Sequence, residues 1–376
     1  MRCHQGESVL CGCAAHCRDE RIVFGRAAPF QRLPRAGGWG KRGSPFLIGF
    51  RGVSMTLWQR AIIAGMEQVI AVDLGGTFLR AALVTARGQV LAHERVPTQV
   101  EAGPTAVIGR VVELIERMRA RLPEEATLLG VGIGAPGPLD PATGVVYSPP
   151  NMPGWHTVPL RSMVAEATGL PVELGNDANV AALGEWRFGG GQGRQHLVYV
   201  TVSTGIGGGV ITDGRLLLGR MGAGAELGFM VLDTERGAVW EDLASGTALG
   251  RAAAAAMPAR PESLLHQRAT PATVTGADVA AAAAAGDALA TELMAREARL
   301  LGLGFASILH VFSPEVLIAG GGVILNNPGL LEQARAIAYA HVKVALYRDV
   351  PIIAATLGDH AGLLGAAALA LAAHGR

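Results

Sequence analysis

The sequence predicts an α/β protein of two domains. Residues 69–84 (VIAVDLGGTFLRAALV) and 198–211 (VYVTVSTGIGGGVI) each have the pattern of two apolar, β-branched strands joined by a glycine turn. The two hairpins lie about one domain length apart, and strand and helix patterns alternate from residue 66 onward. At 376 residues the chain is long enough for two substantial cores. Together these observations predict a duplicated α/β unit.

Composition sets the class of protein. Half of the residues are hydrophobic and 17% are charged, which indicates a globular chain. The net charge of +1 is unevenly spread, because residues 1–65 hold ten Lys and Arg against three Asp and Glu. The remaining residues hold 22 basic against 28 acidic side chains. An acidic body of this kind gives no electrostatic footprint for nucleic acid.

The first 65 residues differ from the rest. They are rich in Arg, Gly and Pro and show no sustained helical or strand period. We interpret them as a disordered or mis-started extension, because Met66 stands directly before the first strand. Their cysteines match no common zinc-ligand spacing, and no apolar stretch with a cleavage site predicts a secretory signal. These cysteines are Cys3, Cys11, Cys13 and Cys17.

The glycine turns indicate a phosphate ligand. In the first, Gly75 and Gly76 allow backbone N–H groups to approach an anion, and Thr77 adds a hydroxyl donor. Asp73 ends a buried strand, which is costly unless it holds a metal ion, a proton or a ligand. A structural turn capped by Asp73 is the alternative. The second hairpin repeats the chemistry, which favours two turns closing on one Mg²⁺-nucleotide, with these residues predicted at its bend: Thr204, Gly205, Gly207 and Gly208.

These motifs carry a family resemblance. DLGGTxxR, TGIGGG and a later IAGGG resemble the ROK family of repressors, open-reading-frame proteins and sugar kinases, and most of all its glucokinases. The resemblance extends from about Met66 to the end of the chain. It implies a two-domain actin-like (ribonuclease H-like) ATPase fold with a cleft between the domains. The implied domains are residues 66–177 with the C-terminal helix 361–376, and residues 178–360.

A possible dinucleotide fingerprint follows the predicted helix 104–122. Gly132, Gly134 and Gly137 spell G-x-G-x-x-G after an apolar strand. Pro136 and Pro138 forbid the helix that must begin there, so we reject that interpretation. A glycine–proline turn that shapes one wall of a ligand cleft is the better account.

The predicted chemical centre is residues 172–184, VELGNDANVAALG. A strand ends at Gly175, and Asn176 and Asp177 form the turn before a helix. Helix capping by Asp177 is one interpretation. Phosphoryl transfer to a hydroxyl, however, needs a carboxylate that accepts the hydroxyl proton. By resemblance, Asp177 is that general base, while Asn176 and Asn151, the latter in a proline-stiffened loop, bind the sugar.

Residues 220–247 both match the family and depart from it. Glu226 matches the sugar-binding glutamate of G-E-x-G-H, but Phe229 replaces the histidine. The family's cysteine-containing zinc loop is missing, whereas Glu241 remains in register as a further sugar ligand. Without thiolate or imidazole ligands we expect no structural zinc. We expect Trp240 and Phe229 to fill that space with apolar side chains.

The last third of the chain is predicted to be helical around one more strand. Residues 252–309 are alanine-rich helix, too interrupted by Gly286 and Asp287 to cross a membrane. A strand then leads to Gly320, Gly321 and Gly322, which by resemblance approach the adenosine and phosphates of ATP. The final helix is expected to return to the first domain.

The resemblance implies an ATP-dependent kinase that phosphorylates a hexose, with glucose to glucose 6-phosphate favoured. Asp73 would position Mg²⁺ through water. Another hexose, a sugar-responsive repressor and a catalytically inactive sugar sensor are the alternatives. Residues 1–65 show no pair of amphipathic helices for a DNA-binding motif, and Asp177 argues against a pure sensor. We further expect a cytoplasmic homodimer without nucleic-acid or membrane partners.

Overall fold

The computed structural model describes residues 66–376, so the interpretation of residues 1–65 lies outside the described residues. Both predicted hairpins are confirmed. The first consists of β1 (Glu67–Leu74) and β2 (Phe78–Thr85), and the second of β8 (Leu197–Val202) and β9 (Ile206–Thr212). In each hairpin the apolar residues of the two strands are almost entirely buried, as their β-branched composition predicts.

Each hairpin starts a five-stranded mixed sheet. The first sheet has the order β3-β2-β1-β4-β7, and the second has the order β10-β9-β8-β13-β14. In both sheets the first hairpin strand pairs antiparallel with the second and parallel with the next strand inward. This repeated pattern supports the predicted duplication. The added strands are β3 (Val90–Pro97), β4 (Thr127–Ala135), β7 (Val172–Asn176), β10 (Arg215–Leu216), β13 (Val316–Gly320) and β14 (Ile352–Ala354).

Helices cover the sheets and complete the cores. The first core joins the first sheet to α1 and α2, and the second joins the second sheet to α4, α8 and α10. Among residues 66–376, no helix combines the length and the apolar character needed to cross a membrane. The helices are α1 (Gly103–Arg119), α2 (Leu160–Thr168), α3 (Asp177–Phe188), α4 (Trp240–Ala244), α5 (Gly246–Ala256), α6 (Leu265–Arg268), α7 (Gly276–Ala284), α8 (Ala288–Phe312), α9 (Gly322–Leu325), α10 (Pro328–His341) and α11 (Ala361–Ala373).

Helices α3 and α11 pack against each other and against the first sheet, so the expected return of the C-terminal helix is confirmed. Helix α11 is buried along most of its length. The close approach depends on glycine, because a Cβ at Gly365 would overlap the carbonyl of Val180. A Cβ at Gly132 in β4 would likewise overlap the carbonyl of Ala366.

Two short hairpins occupy the connections. After β4 the chain enters β5 (Leu139–Asp140) and β6 (Val145–Val146), so no helix begins at the glycine–proline segment. This confirms the rejection of a dinucleotide fingerprint. The second short hairpin consists of β11 (Val231–Asp233) and β12 (Ala238–Val239). It occupies the position of the zinc loop that this sequence lacks.

Candidate active site

The first glycine turn lies beside the predicted sugar loop. Gly75 N–H donates to the carbonyl of Phe78 at 3.0 Å, which closes the turn. Thr98 Oγ1 donates to the Gly75 carbonyl at 2.6 Å. A Cβ at Gly76 would lie 3.5 Å from the Cβ of Asn151. The structure therefore brings Gly75, Gly76 and Asn151 together, with Thr77 exposed at the end of the turn.

Asp73 is buried directly below this turn. Its carboxylate pairs with Arg80, the residue opposite it in β2, at 2.6 Å. Arg80 also donates to the carbonyl of Asp359, just before α11. A Cβ at Gly362 would lie 3.0 Å from Asp73 Oδ2, so the start of α11 covers the carboxylate. Burial raises the pKa of Asp73, and the Arg80 guanidinium opposes that rise.

Asp177 is the first residue of α3, and Asn176 is its N-cap. Asn176 Oδ1 accepts hydrogen bonds from the N–H groups of Ala178 at 3.0 Å and Asn179 at 3.4 Å. Asn176, and not Asp177, is therefore the residue that caps α3, so the capping interpretation of Asp177 is wrong. Asp177 Oδ1 accepts only the N–H of Ala178, at 2.7 Å. The side-chain oxygen of Asn176 accepts hydrogen bonds from the helix, so its NH₂ group is the part left to donate to a ligand.

The Asp177 side chain is exposed at the start of α3. Water reaches it, yet protein atoms surround it on most sides and displace part of its hydration. This loss of hydration raises the pKa of Asp177 to about 6, and the charges of Asp73 and Glu226 add to the rise. The N–H of Ala178 works in the opposite direction. A carboxylate with a pKa near 6 suits general-base catalysis near neutral pH.

Glu226 and Glu241 extend this acidic group. Partial burial raises the pKa of Glu226, and the charge of Glu241 raises it further. Glu241 Oε2 accepts the N–H of Ile206 at 2.7 Å. The four carboxylates therefore form a chain of electrostatic neighbours, Asp73 to Asp177 to Glu226 to Glu241. Carboxylates are hydrogen-bond acceptors, so this group is suited to a ligand with several hydroxyl donors.

A cavity of about 890 Å³ adjoins the second glycine turn. Ser203 and Thr204 of the turn line it, together with Gly246 and Thr247 at the start of α5. Gly322 and Asn326 form another wall. The cavity is mainly apolar with a few polar groups, as is typical of sites that bind small molecules. Thr204 and Gly322 were predicted at this site, whereas Ser203, Thr247 and Asn326 were missed.

One wall of this cavity carried no functional signal in the sequence. Residues 274–277 and the alanines of α7 line it, including Ala280, Ala281 and Ala284. Thr275 and Asp278 form a capping box that fixes where α7 begins. This signal can be read from the sequence, but it predicts only a helix start. That α7 faces a ligand cavity depends on tertiary packing.

The prediction that four residues lie at the bend of the second hairpin is half wrong. The bend is residues 203–205, where Ser203 N–H donates to the Gly205 carbonyl at 2.9 Å. Thr204 and Gly205 are there, but Gly207 and Gly208 lie within β9. A Cβ at Gly207 would lie 3.0 Å from the Cβ of Ala178, and one at Gly208 would overlap Leu227. Close packing therefore accounts for these two glycines without a phosphate ligand.

The third glycine turn joins β13 to α9. Gly320 ends the strand, and Gly321 is the N-cap of α9 with φ +84°. A Cβ at Gly321 would overlap the carbonyl of Val202 at the end of β8, so both conformation and space require glycine. Of the three predicted glycines, only Gly322 lines the cavity. Gly321 brings the chain against the end of β8, and Gly320 packs against the Tyr199 hydroxyl and Ala355.

The expected apolar filling is right for Trp240 and wrong for Phe229. Trp240 is fully buried, its Nε1–H donates to the Leu300 carbonyl at 3.0 Å, and its ring packs edge-on against Phe305. Phe229 is 59% exposed, because the 3₁₀ turn Leu227–Phe229 buries Leu227 instead. Within residues 66–376 no three His, Cys, Asp or Glu side chains are grouped to hold a metal ion, and the absence of zinc stays a prediction.

Comparison with known proteins gives consistent relatives. The ROK family model matches residues 69–373. A glucokinase of Thermotoga maritima is 38% identical over 311 residues, covering 80% of this chain and 96% of that protein. The ROK hexokinase of Thermus thermophilus has a TM-score of 0.71 at 37% identity, covering 82% of this chain and 100% of that one. A ROK family glucokinase of Streptomyces griseus, solved with glucose and AMPPNP, has a TM-score of 0.69 at 34% identity, covering 81% and 99%.

Proposed function

Because this chain belongs to the ROK family, we propose that it is an ATP-dependent hexose kinase that phosphorylates glucose, with Asp177 as the general base. The observation that carries the proposal is the position of Asp177. This carboxylate, with a raised pKa, begins α3 directly after β7, within electrostatic reach of Glu226 and of Asp73 at the first glycine turn. The nucleotide-sized cavity begins at the second turn.

Asp177 accepts the proton of the sugar hydroxyl that attacks the γ-phosphorus. Loss of hydration, and to a smaller extent the neighbouring charges of Asp73 and Glu226, raise the pKa of this carboxyl above that of an isolated aspartate. Asn151, Asn176, Glu226 and Glu241 supply hydrogen-bond partners for the remaining hydroxyls. Holding the hydroxyl near the phosphorus replaces a bimolecular encounter by a fixed geometry, which is a large part of the rate gain in phosphoryl transfer.

ATP lies across the two glycine turns. Its purine enters the 890 Å³ cavity, and its phosphates meet the backbone N–H groups of Gly76 and Thr77 in the first turn and of Thr204 and Gly205 in the second, because those of Gly75 and Ser203 are already used within the turns. Mg²⁺, when bound, would neutralise negative charge on the phosphates. The donor set fits such an ion, because Mg²⁺ bound to phosphates keeps several waters and needs only one or two protein carboxylates. Asp73 is the carboxylate at that place and would act through water.

Closure of the cleft would exclude water, which otherwise competes with the sugar for the phosphoryl group. We propose that two domains move relative to each other in this closure. One consists of residues 66–177 and 361–376, and the other of residues 178–360. We further propose that the protein is a homodimer and acts in the cytoplasm. Light scattering on the purified protein measures the oligomeric state directly.

A hexose panel tests the proposal. ADP release is measured in a coupled assay with glucose, mannose, fructose and N-acetylglucosamine, and with no sugar. Glucose should give the highest kcat/KM, and the sugar-free rate should be at least about 100-fold lower if water is excluded from the closed site. Absence of sugar-dependent ADP release with every hexose would overturn the proposed function.

A further inference from the structure

Glu241 lies against the second glycine turn. Its Oε2 accepts the N–H of Ile206, the first residue of β9, at 2.7 Å. A Cβ at Gly205 would overlap Oε2, so the carboxylate occupies the space next to the turn backbone. Glu241, one of the four clustered carboxylates, thus contacts the backbone of the turn that is proposed to bind the nucleotide.

The same turn forms the nucleotide cavity. Ser203 and Thr204 line the cavity, and the Ser203 carbonyl accepts the N–H of Gly246 at 2.7 Å. The turn is therefore held at one side by the start of α5 and at the other side by Glu241. A movement of the Glu241 carboxylate would release the N–H of Ile206 and change the position of the turn.

The Glu241 carboxylate also lies near the proposed sugar-binding residues. Its charge acts on Glu226, which places the two carboxylates within electrostatic reach of each other. In the described part of the chain, no protein group donates a hydrogen bond to Glu241 Oε1. This oxygen is therefore available to a hydroxyl donor while Oε2 holds the turn.

A rigid anchor precedes Glu241. Trp240 is fully buried, donates to the Leu300 carbonyl and packs against Phe305. A Cβ at Gly304 would overlap the indole ring, so α8 is shaped to receive it. The anchor fixes the backbone of Glu241, and only its side-chain torsions remain free to respond to a ligand.

We propose that Glu241 is a positioning residue that couples the two substrate sites. This rests on the proposed function. A sugar hydroxyl bound at Oε1 fixes the carboxylate, Oε2 then holds the Ile206 N–H, and the turn is ordered for the nucleotide phosphates. Thermodynamic linkage makes the effect reciprocal: the nucleotide must strengthen sugar binding by the same factor as the sugar strengthens nucleotide binding.

Calorimetry on the full chain measures this factor. Mg²⁺-AMPPNP is titrated with and without saturating glucose, and glucose is titrated with and without AMPPNP. In the parent protein glucose should lower the Kd of AMPPNP by at least about fivefold, the low end of typical couplings. In Glu241→Ala the factor should fall below about twofold. The control Glu226→Gln should weaken glucose binding but keep the coupling once glucose is saturating, because within residues 66–376 the Glu226 side chain makes no hydrogen bond to the turn.

Gly205→Ala provides an independent test. The new methyl group displaces the flexible Glu241 carboxylate from the turn, so the fold should persist. Glucose affinity should fall although Gly205 is on the nucleotide side, and the coupling factor should fall as in Glu241→Ala. If Glu241→Ala fails to fold, Gly205→Ala alone tests whether Glu241 couples the two substrate sites.

The possible outcomes separate the two proposals. Full coupling in Glu241→Ala or in Gly205→Ala overturns the positioning role, and so does a parent protein that phosphorylates glucose without any coupling. In each of these cases the kinase function stands. A parent protein that binds and phosphorylates no hexose overturns the proposed function instead.

Discussion

Replacing Glu297 should make the protein less sensitive to alkaline pH. This side chain is in the middle of α8 with a relative exposure of 0%, between two apolar clusters. Within the described residues neither carboxylate oxygen has a hydrogen-bond partner. Burial raises the pKa of Glu297 to about 8 from 4.5. The folded protein therefore keeps this group protonated at neutral pH, whereas the unfolded chain ionises it.

The sign and size follow from proton linkage. The folded-state pKa is raised, so stability is fully present below pH 4.5 and is lost as the pH rises towards 8. One pKa unit corresponds to about 1.4 kcal/mol, and between pH 5.5 and 8 the loss amounts to about 3 kcal/mol. Glu297→Met keeps a similar volume without a titrating group and should lack this loss.

The assay is urea unfolding of the parent protein and of Glu297→Met at pH 5.5 and 8. The parent protein should lose about 3 kcal/mol more than the variant between these two values. Glu292→Met, at an exposed position of the same helix, controls for the general loss of a carboxylate. Equal pH dependence in the parent and Glu297→Met would refute the reasoning, because it would mean that Glu297 is ionised and hydrated in the fold.

Three further predictions concern the site and its frame. Because the pKa of Asp177 is about 6, kcat should fall by about tenfold per pH unit below that value, and a flat pH–rate profile down to pH 5 would contradict its role. Gly365→Ala should lower the free energy of unfolding by about 3 kcal/mol through its overlap with Val180, whereas Gly329→Ala, with open space around it, should not, and thermal melts compare the two. Chelation by EDTA should abolish activity, and Mg²⁺ alone should restore it; stoichiometric zinc in protein that lacks residues 1–65 would contradict the expected absence of a zinc site around Trp240.

Local sequence patterns explain why the main strands and the C-terminal helix were predictable. The strands of both hairpins are continuous β-branched runs broken by glycine, a signal contained within about 15 residues. The glycine–proline segment after β4 was assigned correctly for the same reason, since Pro138 excludes a helix regardless of the surroundings. The C-terminal helix is apolar on every side, which predicts burial between other elements.

Tertiary contacts explain the errors. Glycine permits either a tight turn or a close approach, and only the position of Leu227 shows that Gly208 serves packing. Asn176 and Asp177 are both good caps, and the exact end of β7 decides that Asn176 caps α3. Phe229 is exposed because Leu227 takes the buried side of a single 3₁₀ turn. None of these outcomes is encoded in a local pattern.

The catalytic activity of Asp177→Asn tests the central claim most directly. The substitution removes the proton acceptor and its charge, while Asn176 continues to cap α3. We predict a fall in kcat of about 10²- to 10⁴-fold, with unchanged AMPPNP affinity. The melting temperature should be no lower than that of the parent, because the substitution removes a charge whose raised pKa shows that the fold disfavours it. Asp213→Asn, an exposed aspartate in the turn between β9 and β10, should keep the parent rate. A kcat for Asp177→Asn within a few-fold of the parent value would contradict the account, because Asp177 would then not be the general base.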